Sequence, residues 1–187
     1  MNEKLIEKYR DINVYHEWWE FMYENLMQDM EQVGINVEEK SISFSGFYSQ
    51  GDGASFSATF DSKRFMEAHD LTKRYPGAYY FALTDELTIK TWKHPSHYSH
   101  SSTVSFESDV YSWTDDEAED LRDAIHHTMM ELYDMESKEF NQEVTDICRG
   151  YMDDFFKRLM QEYEYLTSDE VVWEAIVANE LDKEEVA

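Results

Sequence analysis

The chain has 187 residues, of which 42% are apolar and 16% aromatic, enough for one packed domain. Its net charge of −25 and pI near 4.4 argue against direct contact with nucleic acid, where affinity comes largely from Lys and Arg on phosphates, and against anionic membranes. The lone Cys148 excludes a disulfide framework and fits a reducing cytoplasm; no signal-peptide pattern opens the chain, and no apolar run approaches ~20 residues.

Residues 1–12 are polar and read as an initial helical turn or a loose arm. From Val14 the spacing becomes helical: Val14, Trp18, Phe21, Met22, Leu26, Met30 and Val33 recur at three and four, and Gly34 supplies the stop. Trp19, Tyr23 and Met27 widen this stripe, as expected of a helix buried between a sheet and another helix. A sheet-forming region follows over 41–111. Ile42, Phe44 and Tyr48 keep even spacing with Gly46 between them; Ala54, Phe56, Ala58 and Phe60 then alternate with Ser55, Ser57, Thr59 and Asp61. Gln50-Gly51-Asp52-Gly53 joins the two runs as a hairpin turn.

Asp61-Ser62 caps a short helix carrying Phe65, Met66 and His69, which Tyr75-Pro76-Gly77 breaks. Tyr79–Leu83 reads as a short buried helix before the turn at Thr84-Asp85-Glu86. Leu87–Trp92 and Tyr98–Phe106 form a second hairpin around His94-Pro95-Ser96-His97, with Tyr98, His100, Ser102, Val104 and Phe106 on one face. Two such hairpins can make one sheet of about four antiparallel strands.

Thr114 and Glu117 form a capping box. A helical pattern then runs to Leu166, through Ala118, Leu121, Ile125, Met129, Leu132, Phe140, Val144, Ile147, Tyr151, Phe155, Leu159 and Tyr163. One straight helix would span ~75 Å, against roughly 40 Å for a compact chain of this size. A break is therefore expected at Asp134–Lys138, the alternative being one projecting helix that pairs with another copy. A second capping box, Thr167-Ser168-Asp169-Glu170, starts a last helix. The expected class is a single α+β domain spanning 1–187: a helix over 14–33, the sheet region, and helices over 114–180.

The runs FSGFYSQGDGASF (44–56), KHPSHYSH (93–100) and EYEYLTSDEVVWEAIVANE (162–180) resemble a family of small bacteriophage and prophage proteins, some of them labelled antitoxin. The resemblance covers the strands and the C-terminal third, whereas the acidic helix over about 114–140 is longer than the family's usual length. It implies a phage-linked origin, and so a host-cell cytoplasm. It carries over no established chemistry.

Three constellations could act. Ser49, Gln50, Asp52, Ser55 and Tyr98 could hold a ligand at the turns, with Gln50 and Tyr98 orienting it; Asp52 equally suits a turn residue that bonds its own backbone. His94, His97 and His100 fall within seven residues and could share Zn or Mn, although residues three apart on a strand face opposite sides. His126-His127 makes a poor chelate on a helix, and Cys148 reads as a buried thiol. The third constellation is charge. From Asp115 to Glu164 there are 16 acids against 5 bases, and Asp115, Asp116, Glu119, Asp120, Asp123, Glu131 and Asp134 form the candidate acidic face. Carboxylates spaced along helices can imitate a row of phosphates and occupy the basic cleft of a nucleic-acid-binding protein. The leading expectation is thus a non-enzymatic accessory protein, without a cofactor, that binds a basic host protein in the manner of a counter-defence factor or antitoxin. The alternatives are a metal- or ligand-dependent enzyme built around Asp52, His97 and His100, and a module that only forms homodimers.

Overall fold

One helix of 46 residues carries the rest of the molecule. The computed structural model describes residues 2–15, 17–111 and 121–181. In chain order these form α1 (Glu3–Lys8), α2 (Glu20–Gln32), β1 (Ile35–Val37), β2 (Ser43–Phe44), β3 (Ala54–Ser55), β4 (Ala58–Phe60), α3 (Ser62–Ala68), α4 (Pro76–Leu83), β5 (Leu87–Lys93), β6 (Val104–Val110), α5 (Leu121–Leu166) and α6 (Asp169–Ala178). The class is α+β, as the sequence predicts.

The long helix α5 is unbroken at Asp134–Lys138, contrary to expectation. At 1.5 Å per residue it runs about 69 Å. Tyr133, Phe140, Val144, Cys148, Met152, Phe155 and Leu159 are all buried on its inner side, so the apolar stripe continues straight through the proposed break. No Gly or Pro lies in that segment. The segment is also held from outside: the backbone N–H of Ala78 donates to Glu136 Oε1 at 2.6 Å, so Glu136 caps α4. The helix exceeds the diameter of a compact chain because α4, β6, β3, α2 and α6 line up along it; the domain is elongated to match.

The strands do not merge into a four-stranded sheet. They form three separate antiparallel two-stranded ladders, β1 with β4, β2 with β3, and β5 with β6. The run 54–60 therefore changes partner midway: Ala54 pairs Phe44, while Ala58 pairs Val37. Side-chain hydroxyls take the place of the missing ladder bonds. Ser41 Oγ accepts from Ser57 N–H at 3.2 Å and donates to Ser57 C=O at 2.8 Å. Thr91 Oγ1 does the same for Ala58, at 3.0 Å each way, and Thr145 on α5 for Phe106. A hydroxyl that satisfies both groups of one residue removes the incentive for a neighbouring strand to do so. The second hairpin is shortened for the same reason. His100 Nδ1 accepts from Ser102 N–H at 3.0 Å, and Thr103 Oγ1 donates to His100 C=O at 2.7 Å. This winds Ser101–Thr103 into a 3-10 turn, and β6 starts only at Val104.

Several local expectations hold. Asp61 caps α3 by accepting from Arg64 N–H, and residues 79–83 are helical. The last helix starts at the expected place, but Ser168 and not Thr167 caps it: Ser168 accepts from Val171 N–H, while Thr167 Oγ1 donates to Tyr163 C=O. Pro76 starts α4 instead of breaking a helix, at the first-turn position where its missing N–H costs nothing. The helix expected over 14–33 is helical only from Glu20. Glu17 sits at φ 73, and the chain enters through turns at Tyr15 and Glu17. Phe21 points outward while Tyr23 is buried. Of the two readings of residues 1–12, the helical one holds, as α1, and the loose arm does not. Leu5 and Ile6 are buried against Val172 and Ile176, and Arg10 ties the two ends together by donating to Thr167 C=O at 3.0 Å and to the Asp169 carboxylate.

Two carboxylates on α5 give opposite pH dependences. Burial pushes the Glu143 carboxyl up, but Arg74 and Tyr75 donate to it and hold it below its ordinary range. Its contribution to stability is present above the unfolded-state pKa and is lost as pH falls through the lower folded value. Burial pushes Glu136 up despite its bonds from Ala78 and Gly77, so its contribution is present at low pH and fades as pH rises through the raised value. In chemical denaturation between pH 3 and about 7, Glu143→Gln should flatten the acid-side loss of stability. Glu136→Gln should steepen the net rise of stability with pH, because it removes the opposing term. An unchanged profile in both variants would refute the assignment.

Candidate functional site

The two turns singled out in the sequence lie side by side. In the first, Ser45 N–H donates to Gly53 C=O at 3.0 Å and Asp52 N–H to Ser49 C=O at 3.1 Å. Ser49 N–H donates to Asp52 Oδ2 at 2.6 Å, so one carboxylate oxygen closes the turn from within. Gly51 adopts φ 95, a conformation L side chains rarely take. The second turn packs directly on the first. The Tyr98 ring lies over Gly51, and a Cβ on Gly53 would sit 2.8 Å from His100 Cδ2. Ser99 Oγ donates to Ser43 Oγ at 3.0 Å, and Ser45 Oγ to Ser99 C=O at 3.3 Å.

Of the expected ligand-binding residues, Ser49, Gln50, Asp52 and Tyr98 thus come to one surface, with His100 beside them. Ser55 does not join them. It is 2% exposed and its hydroxyl meets Ser43 Oγ at 3.2 Å; the hydroxyl-rich face of this strand is a structural seam. The three histidines do not converge either. His94 Nε2 lies 3.1 Å from Ser105 Oγ, His97 is exposed, and His100 Nδ1 is engaged by Ser102. Among the described residues no group of three His, Cys, Asp or Glu side chains could hold a metal ion.

What the sequence reading missed is the aromatic apron beside the first turn. Phe47 points in and stacks on Phe44 and Phe156, each at 5.7 Å between ring centres, with Tyr163 at 5.0 Å. Trp18 meets Phe44, Phe47 and Tyr163 at 6.0–6.2 Å. Tyr48 stands 73% exposed at the edge, 6.5 Å from Tyr163. The available signal was Phe47-Tyr48 inside a glycine-bounded turn, where small polar residues are the norm. Carboxylates rim this patch. Burial, then Asp11 and Tyr48, push the Tyr163 phenol up. Next to Trp18 and Trp19, the neighbouring Glu17 and then burial push the Glu20 carboxyl up.

On the acidic face, Asp123, Glu131 and Asp134 are exposed and fall within about 80° of one another around α5 at 100° per residue. His127 Nε2 approaches Glu131 at 3.5 Å. Asp115, Asp116, Glu119 and Asp120, and the capping box at Thr114, lie outside the described residues. The cations Arg10, Lys40, Arg74, Lys90, Lys157 and Arg158 each lie against a carboxylate, which leaves the 41 acids far in excess of the bases. Cys148 is fully buried and burial pushes its thiol up. It should resist a maleimide in the folded protein and react only after denaturant is added; fast native labelling would contradict its place in the core.

No helix among the described residues is long and apolar enough to cross a membrane. Neither the curated proteins nor the solved structures offer a match to this chain. A family model described as "Domain of unknown function (DUF8835)" matches residues 18–169, which include both turns, the aromatic apron and all of α5. The chain belongs to that family.

Proposed function

We propose that this protein is a non-enzymatic acidic accessory factor, phage-linked by the resemblance of its turn sequences, that binds a basic host protein. The observation that carries the reading is the half-buried aromatic apron, with Tyr48 exposed at its edge, rimmed by carboxylates at Asp11, Glu17, Glu20 and Asp52. Tyr and Trp are the side chains most often found at binding hot spots. An Arg or Lys placed over an aromatic face gains roughly 0.5–2 kcal/mol. The uncompensated charge steers a basic partner in and repels acidic ones. An antitoxin-like or counter-defence role follows if the partner's own nucleic-acid cleft is what becomes occupied.

The experiment is capture from phage-infected host cells on immobilised wild-type protein and on a Tyr48→Ser/Asp52→Asn variant. Wild type should retain basic nucleic-acid-binding proteins at low salt and release them at high salt, since exposed charge is screened within about 10 Å at 0.1 M. The variant should retain several-fold less. Capture dominated by neutral proteins and indifferent to salt would overturn the reading.

A second reading has one observation in its favour, the shared surface of the two turns. Asp52, Tyr98 and His100 there could orient a small polar ligand. A thermal-shift screen of small polar metabolites tests it: a stabilising compound whose effect is lost in Tyr98→Ala would support it, and no shift with any compound would count against it.

A further inference from the structure

The inner face of α5 is spent on the core, but its outer face is not. At 100° per residue, Leu121, Ile125, Thr128, Leu132 and Met135 fall on one line, within about 40° either side. Glu139, Asp146 and Asp153 continue the same line. Leu121 is 78% exposed, Met135 81% and Ile125 43%, and Thr128 and the three acids are exposed too. The spacing of four, three, four, three is that of a helix–helix seam. Along one line the helix thus changes from apolar to anionic. In the anionic part, Glu139, Gln142, Glu143, Asp146 and Ile147 border a cavity of about 470 Å³.

We propose that this line docks a helix of the basic partner. The partner helix sets apolar residues on Leu121–Met135 and Lys or Arg on Glu139–Asp153. The inference rests on the reading of a basic partner, but uses a surface separate from the aromatic apron. The distance from Leu121 to Asp153 is about 48 Å, the length of a helix of roughly 32 residues. A second copy of this chain fits poorly. Laid parallel, it places Glu139, Asp146 and Asp153 against their own counterparts. Laid antiparallel along the full line, it places them on the apolar half. The net charge of −25 opposes both. A cationic helix meets neither obstacle.

The test uses three synthetic peptides of about 32 residues and identical composition. One carries Leu at the seam positions of its first half and Lys at those of its second, one has this order reversed, and one is scrambled. Fluorescence anisotropy with the full chain at physiological salt should show one ordered peptide binding about tenfold tighter than the scrambled one, as expected for two or three seated apolar side chains. Ile125→Lys/Met135→Lys should abolish that preference without changing the far-ultraviolet circular dichroism. Tyr48→Ser should leave it intact. Equal binding of all three peptides would overturn the docking line while leaving a basic partner standing. Failure of all three to bind, with host capture still salt-sensitive, would overturn the line alone; failure of both experiments would remove the basic partner as well. A doubled mass in light scattering, returned to one chain by Ile125→Lys/Met135→Lys, would overturn it in favour of a second copy.

Discussion

Phe140→Ala should cost about 4 kcal/mol, the range for emptying a fully buried aromatic site. Phe140 is 0% exposed and sits midway along α5, with its ring edge-on to Tyr75 at 5.3 Å. The ring it packs on, Tyr75, is itself held by its hydroxyl on Glu143 at 2.8 Å, so relaxation into the cavity can recover little. Against a total of about 5–15 kcal/mol for a domain, this is a large share. A domain of this size loses about 2–4 °C of melting temperature per kcal/mol, so the midpoint should fall by about 10 °C. Met135→Ala, one turn away and 81% exposed, should change stability by less than about 0.5 kcal/mol. The contrast is informative. If α5 were broken at Asp134–Lys138 and its two halves packed differently, the costs would not divide so sharply across five residues. Equal, small losses in urea denaturation would refute the packing described here.

Gly77→Ala tests two effects of opposite sign. Ala is the better helix former by about 1 kcal/mol, and Gly77 lies within α4, so propensity alone predicts a gain. The structure predicts a loss. A Cβ on Gly77 would stand 2.6 Å from the Tyr133 backbone nitrogen and 2.9 Å from Tyr133 Cα and from Glu136 Oε1. Two of these three atoms are backbone and cannot swing away, so α4 must lift from α5. Overpacking of this kind costs roughly 1–3 kcal/mol, and the displaced Glu136 cap adds about 1 more. The close approach should win, with a net loss of about 2 kcal/mol. A stabilised Gly77→Ala variant would mean that the two helices do not cross this closely. Gly53→Ala is a useful comparison: its Cβ would meet His100 Cδ2 at 2.8 Å and His100 Cα and Cγ at 3.1 Å, so its main effect should be to push the two turns apart.

For function, these substitutions separate scaffold from surface. Phe140 and Gly77 set the position of α5, whereas Tyr48, Ile125 and Met135 project from it or beside it into solvent. Binding lost in the second group with stability intact is the signature of an interaction surface. The acidic composition has the same dual character. A net charge of −25 disfavours like-charged neighbours, and in the proposed reading the same charge draws a cationic partner to the rim.

Much was readable in the amino-acid order alone, wherever the determinant is local. Asp61 as a helix cap, Gly34 ending α2 at φ 78, the start of the last helix near 167–170, the strand at Leu87–Lys93 and the turn at Gln50–Gly53 each depend on a few consecutive residues and their backbone preferences. The charge excess is equally a property of the chain. Tertiary structure alone decided partners. Hydroxyls at Ser41 and Thr91 split one expected sheet into separate ladders, and a carboxylate at Glu136 reached across to cap another helix. Tyr98 and His100 came to rest on Gly51 and Gly53, roughly 47 residues distant along the chain. Such choices turn on which buried polar group finds which satisfier, a competition settled only when distant segments meet. Periodicity reports that a face is apolar, and packing decides whether the core or a visitor covers it.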